Sequence, residues 1–224
     1  QITFFKVVYR RHTNFSMESV RQTSFGGGDS YSWTIARSGD LVCNMFLEKM
    51  FGKKTEVTFS GNKQYSVDSS GSKNLLYEQR LRFYAKLDSI KYNIEIGGQT
   101  IDKFDNLWRR TYNCLTTHNP TFDDQTVLQR MERAGVWNLP FWFCRNPGLA
   151  LPLIALQYHE VKFTMDLNKA NNMLCDPENP SSTSWTPQLW VDYIYLDTDE
   201  RRRFAQVSHE YLIEQVQTYS TSAV

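Results

Sequence analysis

The stretch SIKYNIEI (residues 89–96) alternates polar and apolar side chains along its whole length. Because successive side chains of a strand point to opposite faces of a sheet, this period of two predicts a β-strand with one face in the core. Just upstream, the apolar residues occupy odd-numbered positions from 81 to 87. Since a slip of one residue turns every side chain to the other face, the sequence predicts a turn or bulge at Asp88-Ser89.

Alternating or continuously apolar runs predict further strands on both sides of this one, separated by glycine-rich and proline-rich turns. The predicted strands are residues 2–9, 31–36, 41–50, 140–144, 153–165 and 189–196. Within 153–165 the apolar residues are even-numbered up to Tyr158 and odd-numbered from Val161. This change predicts a bend or bulge near Tyr158-His159, with His159 in a structural role. We expect residues 52–74 to form an exposed excursion and 168–188 to form a loop.

Helical spacing is found in the middle of the chain and near its end. Apolar residues at steps of three and four predict a helix at 101–116, with Asp102 capping or charging its first turn. A second helix is expected at 123–134, ended by Gly135. Asp197 and Glu200 predict the start of a short helix after the last strand.

About eight strands, short helices and no strand–helix–strand rhythm are typical of an antiparallel sandwich. Aromatic residues make up 14% of the chain, and aromatic side chains fit a pleated, half-buried surface. The sequence therefore predicts an all-β, eight-stranded antiparallel jelly-roll sandwich over about residues 2–196, with short helices in its loops.

Charge gives no indication of a nucleic-acid or membrane partner. The formal net charge is +1, so no overall field draws the chain toward polyanions. The run Arg201-Arg202-Arg203 follows Asp197, Asp199 and Glu200, and we interpret this segment as a solvated helix face and not a phosphate site. Apolar stretches are also too short to span a bilayer, so no membrane insertion is expected.

The cysteines have no metal-binding or regular disulfide spacing. Cys43, Cys114 and Cys144 have apolar or aromatic neighbours, and Cys175 lies in the predicted 168–188 loop. Buried, reduced thiols are the expectation for all four, which indicates a reducing compartment.

No known catalytic pattern is found in the sequence. The histidines at 12, 118, 159 and 209 are scattered, and neither a nucleophile elbow nor a phosphate-binding glycine loop occurs. We therefore expect neither an enzyme nor a cofactor. Aromatic strands can also form sugar-binding platforms, as in lectin jelly rolls, although core packing explains most of them.

Several stretches resemble the major capsid proteins of nucleocytoplasmic large DNA viruses. They are ITFFKVVYRRHTNFSMES (2–19), SGDLVCNMFLE (38–48), IEIGGQTIDK (94–103), LPFWFCRNPGLALPLIALQYHEVKF (139–163) and YLDTDERRRFAQVSHEYLIEQVQ (195–217). The resemblance extends from end to end but covers under half of the chain. It departs from the family pattern at 52–74, 104–138 and 168–188.

The resemblance implies a structural protein with two jelly rolls in tandem, which trimerises into a pseudo-hexagonal capsomer of an icosahedral shell. Its implied partners are copies of itself, neighbouring capsomers and minor capsid proteins, in a virion assembled in the host cytoplasm. Two other roles stay open at this point. One is a carbohydrate-binding jelly roll such as a viral attachment lectin, and the other is a minor capsid or vertex protein with a single jelly roll.

On this reading, residues 1–196 are the N-terminal jelly roll. Residues 197–224 are an interdomain helix and the start of a second jelly roll that the chain does not include. The candidate assembly residues in this segment are Asp197, Asp199, Arg201, Arg202, Arg203 and Tyr211. A strand-like piece around Tyr211, Ile213 and Val216 would then lack pairing partners, so we expect the tail to pack poorly on residues 1–196.

Overall fold

The computed structural model describes residues 14–48, 88–116, 136–168, 186–207 and 209–217. The predicted strand at 2–9, the excursion at 52–74, the helix at 123–134 and Cys175 lie outside these ranges, as does nearly all of the 168–188 loop. The described strands are β1 Phe15–Arg21, β2 Ser24–Gly27, β3 Ser30–Thr34, β4 Leu41–Glu48, β5 Lys91–Ile96, β6 Gln99–Asp105, β7 Trp137–Asn138, β8 Leu151–Pro152, β9 Val161–Asp166 and β10 Gln188–Leu196. The helices are α1 Asn106–Thr116 and α2 Thr198–Gln206, with short 3₁₀ turns at Trp142–Cys144 and Pro147–Leu149.

These strands form two antiparallel sheets. The first sheet has the order β1-β10-β4-β7, with β8 also paired to β4, and the second has the order β2-β3-β9-β5-β6. Late strands thus lie between early ones in both sheets, as the chain crosses repeatedly from one sheet to the other. The predicted antiparallel jelly-roll sandwich is confirmed, although the described residues contain ten strands where eight were expected.

The core lies between the two sheets and is rich in aromatic rings. Tyr92 and Ile94 of β5 are fully buried, which confirms the strand predicted at 89–96. Trp33 of β3 stacks on Phe163 of β9 with 5.4 Å between ring centroids. Burying such side chains contributes roughly 1.5–3 kcal/mol each, and residues of both sheets contribute to this buried core.

The predicted helix at 101–116 is wrong in its first part. Residues up to Asp105 belong to β6, which pairs with β5 through the tight turn at Gly97-Gly98. Both glycines have positive φ angles, 59° and 81°, a conformation that side chains disfavour. The helix begins only at Asn106, and Asp105 caps it by accepting a hydrogen bond from the Trp108 amide at 2.8 Å. Asp102, the expected cap, is instead buried within β6.

Two other predicted strands are replaced by turns. Residues 140–144 enter the 3₁₀ turn at Trp142–Cys144, where Trp142 and Phe143 are buried without a strand partner. Of 153–165, strand conformation begins only at Val161. Residues before it form consecutive turns, in which Leu156 donates to the carbonyl of Leu153. Apolar runs can therefore reach the core without joining a sheet.

The bend predicted near Tyr158-His159 is confirmed, since a turn at residues 157–158 precedes β9. Arg37 holds this loop by donating to the carbonyls of Leu156 and His159. The His159 ring lies against Gly97, in agreement with a structural role. Tyr158 stands at the tip of the loop and is 92% exposed.

A tight corner formed by Ser38-Gly39-Asp40 leads into β4. A side chain at Gly39 would come within 2.7 Å of the Tyr193 Cβ atom, so the corner can approach β10 this closely only without one. The Tyr193 hydroxyl donates to the carbonyl of Ala36, and burial raises the pKa of Tyr193 to about 12. Tyr193 thus joins the corner to the last core strand.

We predict that Gly39→Ala lowers the free energy of unfolding by about 1–3 kcal/mol, because the added methyl group must displace the base of the Tyr193 side chain. Gly27→Ala is the matched control. Nothing lies within 4 Å of a Cβ atom at that position, and the change should stay within about 1 kcal/mol. Denaturant titration of both variants measures the difference, and equal effects would contradict this account of the corner.

Candidate functional site

The candidate assembly residues lie in the segment that follows β10, which we call the exit segment (residues 197–217). Its first part is α2, whose start is capped as predicted. The Asp197 carboxylate accepts a hydrogen bond from the Glu200 amide at 3.0 Å, and Asp199 and Glu200 place negative charge in the first turn. Both features oppose the partial positive charge of the helix N-terminus and stabilise the helix there.

The exit segment is fixed at its start by Asp40, which is 8% exposed. One oxygen of the Asp40 carboxylate accepts hydrogen bonds from the Leu196 amide at 2.8 Å and from the Arg201 guanidinium at 3.0 Å. The Asp40 backbone also bonds to Ile194 and Ile154. A buried carboxylate needs such partners, since it is costly to remove from water unpaired. Asp40 therefore sets where β10 ends and where α2 begins.

Apolar contacts support the same attachment. Leu41, Cys43, Ala150 and Ile194 form a small buried cluster separate from the main core. Leu196 and Phe204 pack against it, so α2 covers this cluster with one aromatic side chain. Arg201 and Phe204 thus attach the helix to the first sheet.

Beyond α2, residues 209–217 run without helix or strand. His209 stacks on Phe204 with 4.9 Å between ring centroids, and a ring nitrogen lies 2.8 Å from the Phe204 carbonyl oxygen. Tyr211 follows at 6.4 Å from the His209 ring, and burial raises the pKa of its hydroxyl. Ring contacts thus extend from Phe204 in α2 through His209 to Tyr211.

The far end of the exit segment contacts the second sheet. The Val216 amide donates to the Asp102 carboxylate at 3.0 Å, and the Gln215 side chain donates to the Ile101 carbonyl at 2.5 Å. The Val216 side chain packs against the main core. Burial raises the pKa of Asp102, while the backbone amides of Val216 and Lys103 and the charge of Arg145 act in the opposite direction.

Arg145 provides a third contact with the exit segment. Its guanidinium pairs with Glu214 and lies over the rings of Trp108 and Tyr112, at 5.4 Å and 4.8 Å from their centroids. Its Nε atom also donates to the Pro140 carbonyl at 3.2 Å. Arg145 therefore links α1, the 3₁₀ region and the exit segment.

These contacts correct the expectation that the tail packs poorly on residues 1–196. Residues 214–216 bond to Ile101, Asp102 and Arg145, all within the sandwich. The strand-like pattern around Tyr211 and Ile213 does not form a strand in the described part of the tail. In place of a ladder, Arg145, the Ile101 carbonyl and Asp102 bind polar groups of residues 214–216.

Of the predicted assembly residues, Asp197, Arg201 and Tyr211 face the domain or support its helix. Asp199 and Arg202 are exposed, and Arg203 pairs with Glu200 at 3.3 Å on the exposed face of α2. Sequence reasoning missed Asp40, Asp102 and Arg145, which hold the exit segment in place. Aspartate after Ser-Gly is typical of a turn, so the local sequence around Asp40 does not indicate its contacts with Leu196 and Arg201.

Cys43, Cys114 and Cys144 carry free thiols, in agreement with the prediction for these three positions. Cys114 is exposed, however, and not buried as its apolar neighbours had indicated. Burial raises the pKa of both Cys43 and Cys144. In the described parts of the chain, no group of three or more His, Cys, Asp or Glu side chains could hold a metal ion.

Within the same residues, no helix is both long and apolar enough to cross a membrane.

Comparison with known proteins gives matches along nearly the whole chain. Residues 3–197 match the family model described as major capsid protein N-terminus. The chain is 45% identical to the major capsid protein of Pyramimonas orientalis virus and 43% identical to that of Paramecium bursaria Chlorella virus 1. Each alignment covers 97% of this chain, but 53% and 48% of the respective relative. The chain therefore spans about half the length of these relatives.

A solved structure agrees with the sequence matches. The chain is similar to a chain in the quasi-atomic model of the PBCV-1 virus capsid, with a TM-score of 0.65 and 38% sequence identity. That superposition covers 99% of this chain and 53% of the other. The two-sheet arrangement is thus shared with a protein of a virus shell.

We predict that Arg201→Ala lowers the free energy of unfolding by about 1 kcal/mol, because Asp40 loses its charged partner. Arg202→Ala, at the next and exposed position, should change it by less than about 0.5 kcal/mol. Denaturant titration of the two variants compares a paired arginine with its solvated neighbour. A loss of stability in Arg202→Ala as large as in Arg201→Ala would show that the Asp40 pair has no special role.

Proposed function

The chain belongs to the major capsid protein N-terminus family, and we propose that it forms the first of two jelly rolls in a structural protein of a virus shell. The observation that carries this proposal is the pair of alignments with major capsid proteins, at 45% and 43% identity over 97% of the chain. The likeness to a chain of a virus capsid supports the same role. Its function is then to bury surface between subunits, without chemical turnover.

We further propose that residues 197–224 lead from the N-terminal jelly roll into a second one. Relatives about twice as long as this chain leave room for a second domain of similar size. Two similar lobes per subunit give six lobes around a threefold axis, which suits a pseudo-hexagonal tile. Such a trimer has closed symmetry within the tile and repeated contacts between tiles.

The expected partners are therefore two further copies of the protein, then neighbouring capsomers and minor capsid proteins. The site of function is the virion, and the reduced thiols fit assembly in the host cytoplasm. Asp199, Arg202 and Arg203 are the exposed charges of α2 that remain candidates for contacts between domains or subunits. The lectin and single-jelly-roll alternatives are not favoured, because relatives that match 97% of the chain are named major capsid proteins.

We predict that the protein encoded by the complete reading frame is a trimer in solution. Light scattering after size-exclusion chromatography should give three times the subunit mass, and electron microscopy should show particles with a pseudo-hexagonal outline. A monomer at micromolar concentration that binds a discrete glycan would contradict the proposal and favour a lectin.

A further inference from the structure

We propose that residues 209–217 form a strap that covers the edge of the second sheet, held there by Asp102 and Arg145, and that this strap opens as a unit while the sandwich stays folded. The inference goes beyond a role in the shell, since it concerns a motion of residues 209–217 relative to the sandwich. It holds for the 224-residue chain by itself.

The strap lies where the second sheet needs protection. β6 is the last strand in the order of that sheet as described, and the outer edge of such a strand offers unpaired backbone groups to other chains. Ile94 of β5 pairs with Asp102 of β6, and Glu95 of β5 pairs with Thr100 of β6, so Ile101 of β6 is an extra residue in a bulge. A bulge leaves backbone groups out of the ladder, and the Ile101 carbonyl accepts from Gln215 instead.

The same bulge presents Asp102 to the strap. Asp102 is 2% exposed, and one of its carboxylate oxygens accepts the Val216 amide at 3.0 Å. Without the strap, the Val216 amide would lose its acceptor and Asp102 would lose a donor. A buried carboxylate with a raised pKa has a strong need for such donors, so the contact joins two groups that each require a partner.

Arg145 is held in position mainly by the sandwich. Its bond to the Pro140 carbonyl and its place over Trp108 and Tyr112 involve no strap residue. The guanidinium is therefore ready to receive Glu214, and the ion pair forms with little loss of side-chain freedom. Because Arg145 keeps its position without the strap, Glu214 can form the same ion pair again after the strap has opened.

The strap is held mainly by polar contacts and packs few apolar side chains against the rest of the domain. The Val216 side chain packs against the main core. By contrast, Leu212 is 81% exposed and Ile213 is also exposed. No helix or strand ladder runs through 209–217. Segments with few buried contacts open at a lower cost than the core, so the strap should exchange its amide hydrogens independently of β5.

Hydrogen exchange on the 224-residue chain tests this proposal through Glu214→Gln. Glu214 is an exposed residue, and the substitution removes the ion pair with Arg145 without touching the core. We expect the Val216 amide to exchange roughly five to ten times faster, with no change at Tyr92 and Ile94. Glu210→Gln is the matched control, since it makes the same change at an exposed position of the strap, and it should leave Val216 at the wild-type rate.

Asp102 is tested in the same assay by a pair of variants. Asp102→Ala removes the acceptor and should speed exchange at Val216, whereas Asp102→Asn keeps an acceptor oxygen and should stay near the wild-type rate. The proposal is overturned if Glu214→Gln leaves Val216 unchanged, or if it speeds exchange at Ile94 as much as at Val216. Because Glu214→Gln leaves the core intact, its result decides even if Asp102→Ala destabilises the whole domain.

Discussion

The buried carboxylate of Asp40 joins the corner before β4 to the end of β10 and the start of α2, which follow it by 156 and 161 positions. It lies at the corner before β4, accepts the Leu196 amide at the end of β10 and pairs with Arg201 in α2. The neighbouring Gly39 lets this corner approach Tyr193 closely, so Asp40 lies beside the end of β10, where its amide also bonds to Ile194. Asp40 therefore fixes both the end of β10 and the start of the exit segment.

Asp102 has the corresponding role at the other end of the exit segment. Asp40 binds the start of that segment at the first sheet, and Asp102 binds Val216 at the second. Between these two anchors, the chain forms α2, and the rings of Phe204, His209 and Tyr211 contact one another in sequence. The exit segment is thereby attached at two points, one on each sheet.

Periodicity predicted the strands that pair on both sides and bury one face. β3 and β5 follow their alternating patterns, β4 and β10 follow the predicted apolar segments, and the Asp197 cap follows from residue types alone. The helix predicted from Ile101 was wrong at its start because inward-facing residues of β6 and of α1 follow each other along the chain and imitate helical spacing. The strand predicted at 140–144 was wrong because its apolar side chains are buried through a 3₁₀ turn, and the strand predicted at 153–158 was wrong because these residues form turns in which Leu153 is buried. Asp102 and Arg145 could not be assigned from sequence, since their roles depend on a bulge and on contacts made by residues about seventy or more positions away.

The central claim is that the exit segment stabilises the sandwich through Asp40 and Asp102. The most direct measurement compares the free energy of unfolding of the 224-residue chain with that of a chain ending at Asp197, by denaturant titration at neutral pH. The shorter chain lacks Arg201, Phe204 and Val216, and should be less stable by at least about 2 kcal/mol. Equal stability of the two chains would contradict the account, because residues 198–224 would then be an attached tail with no part in holding the domain together.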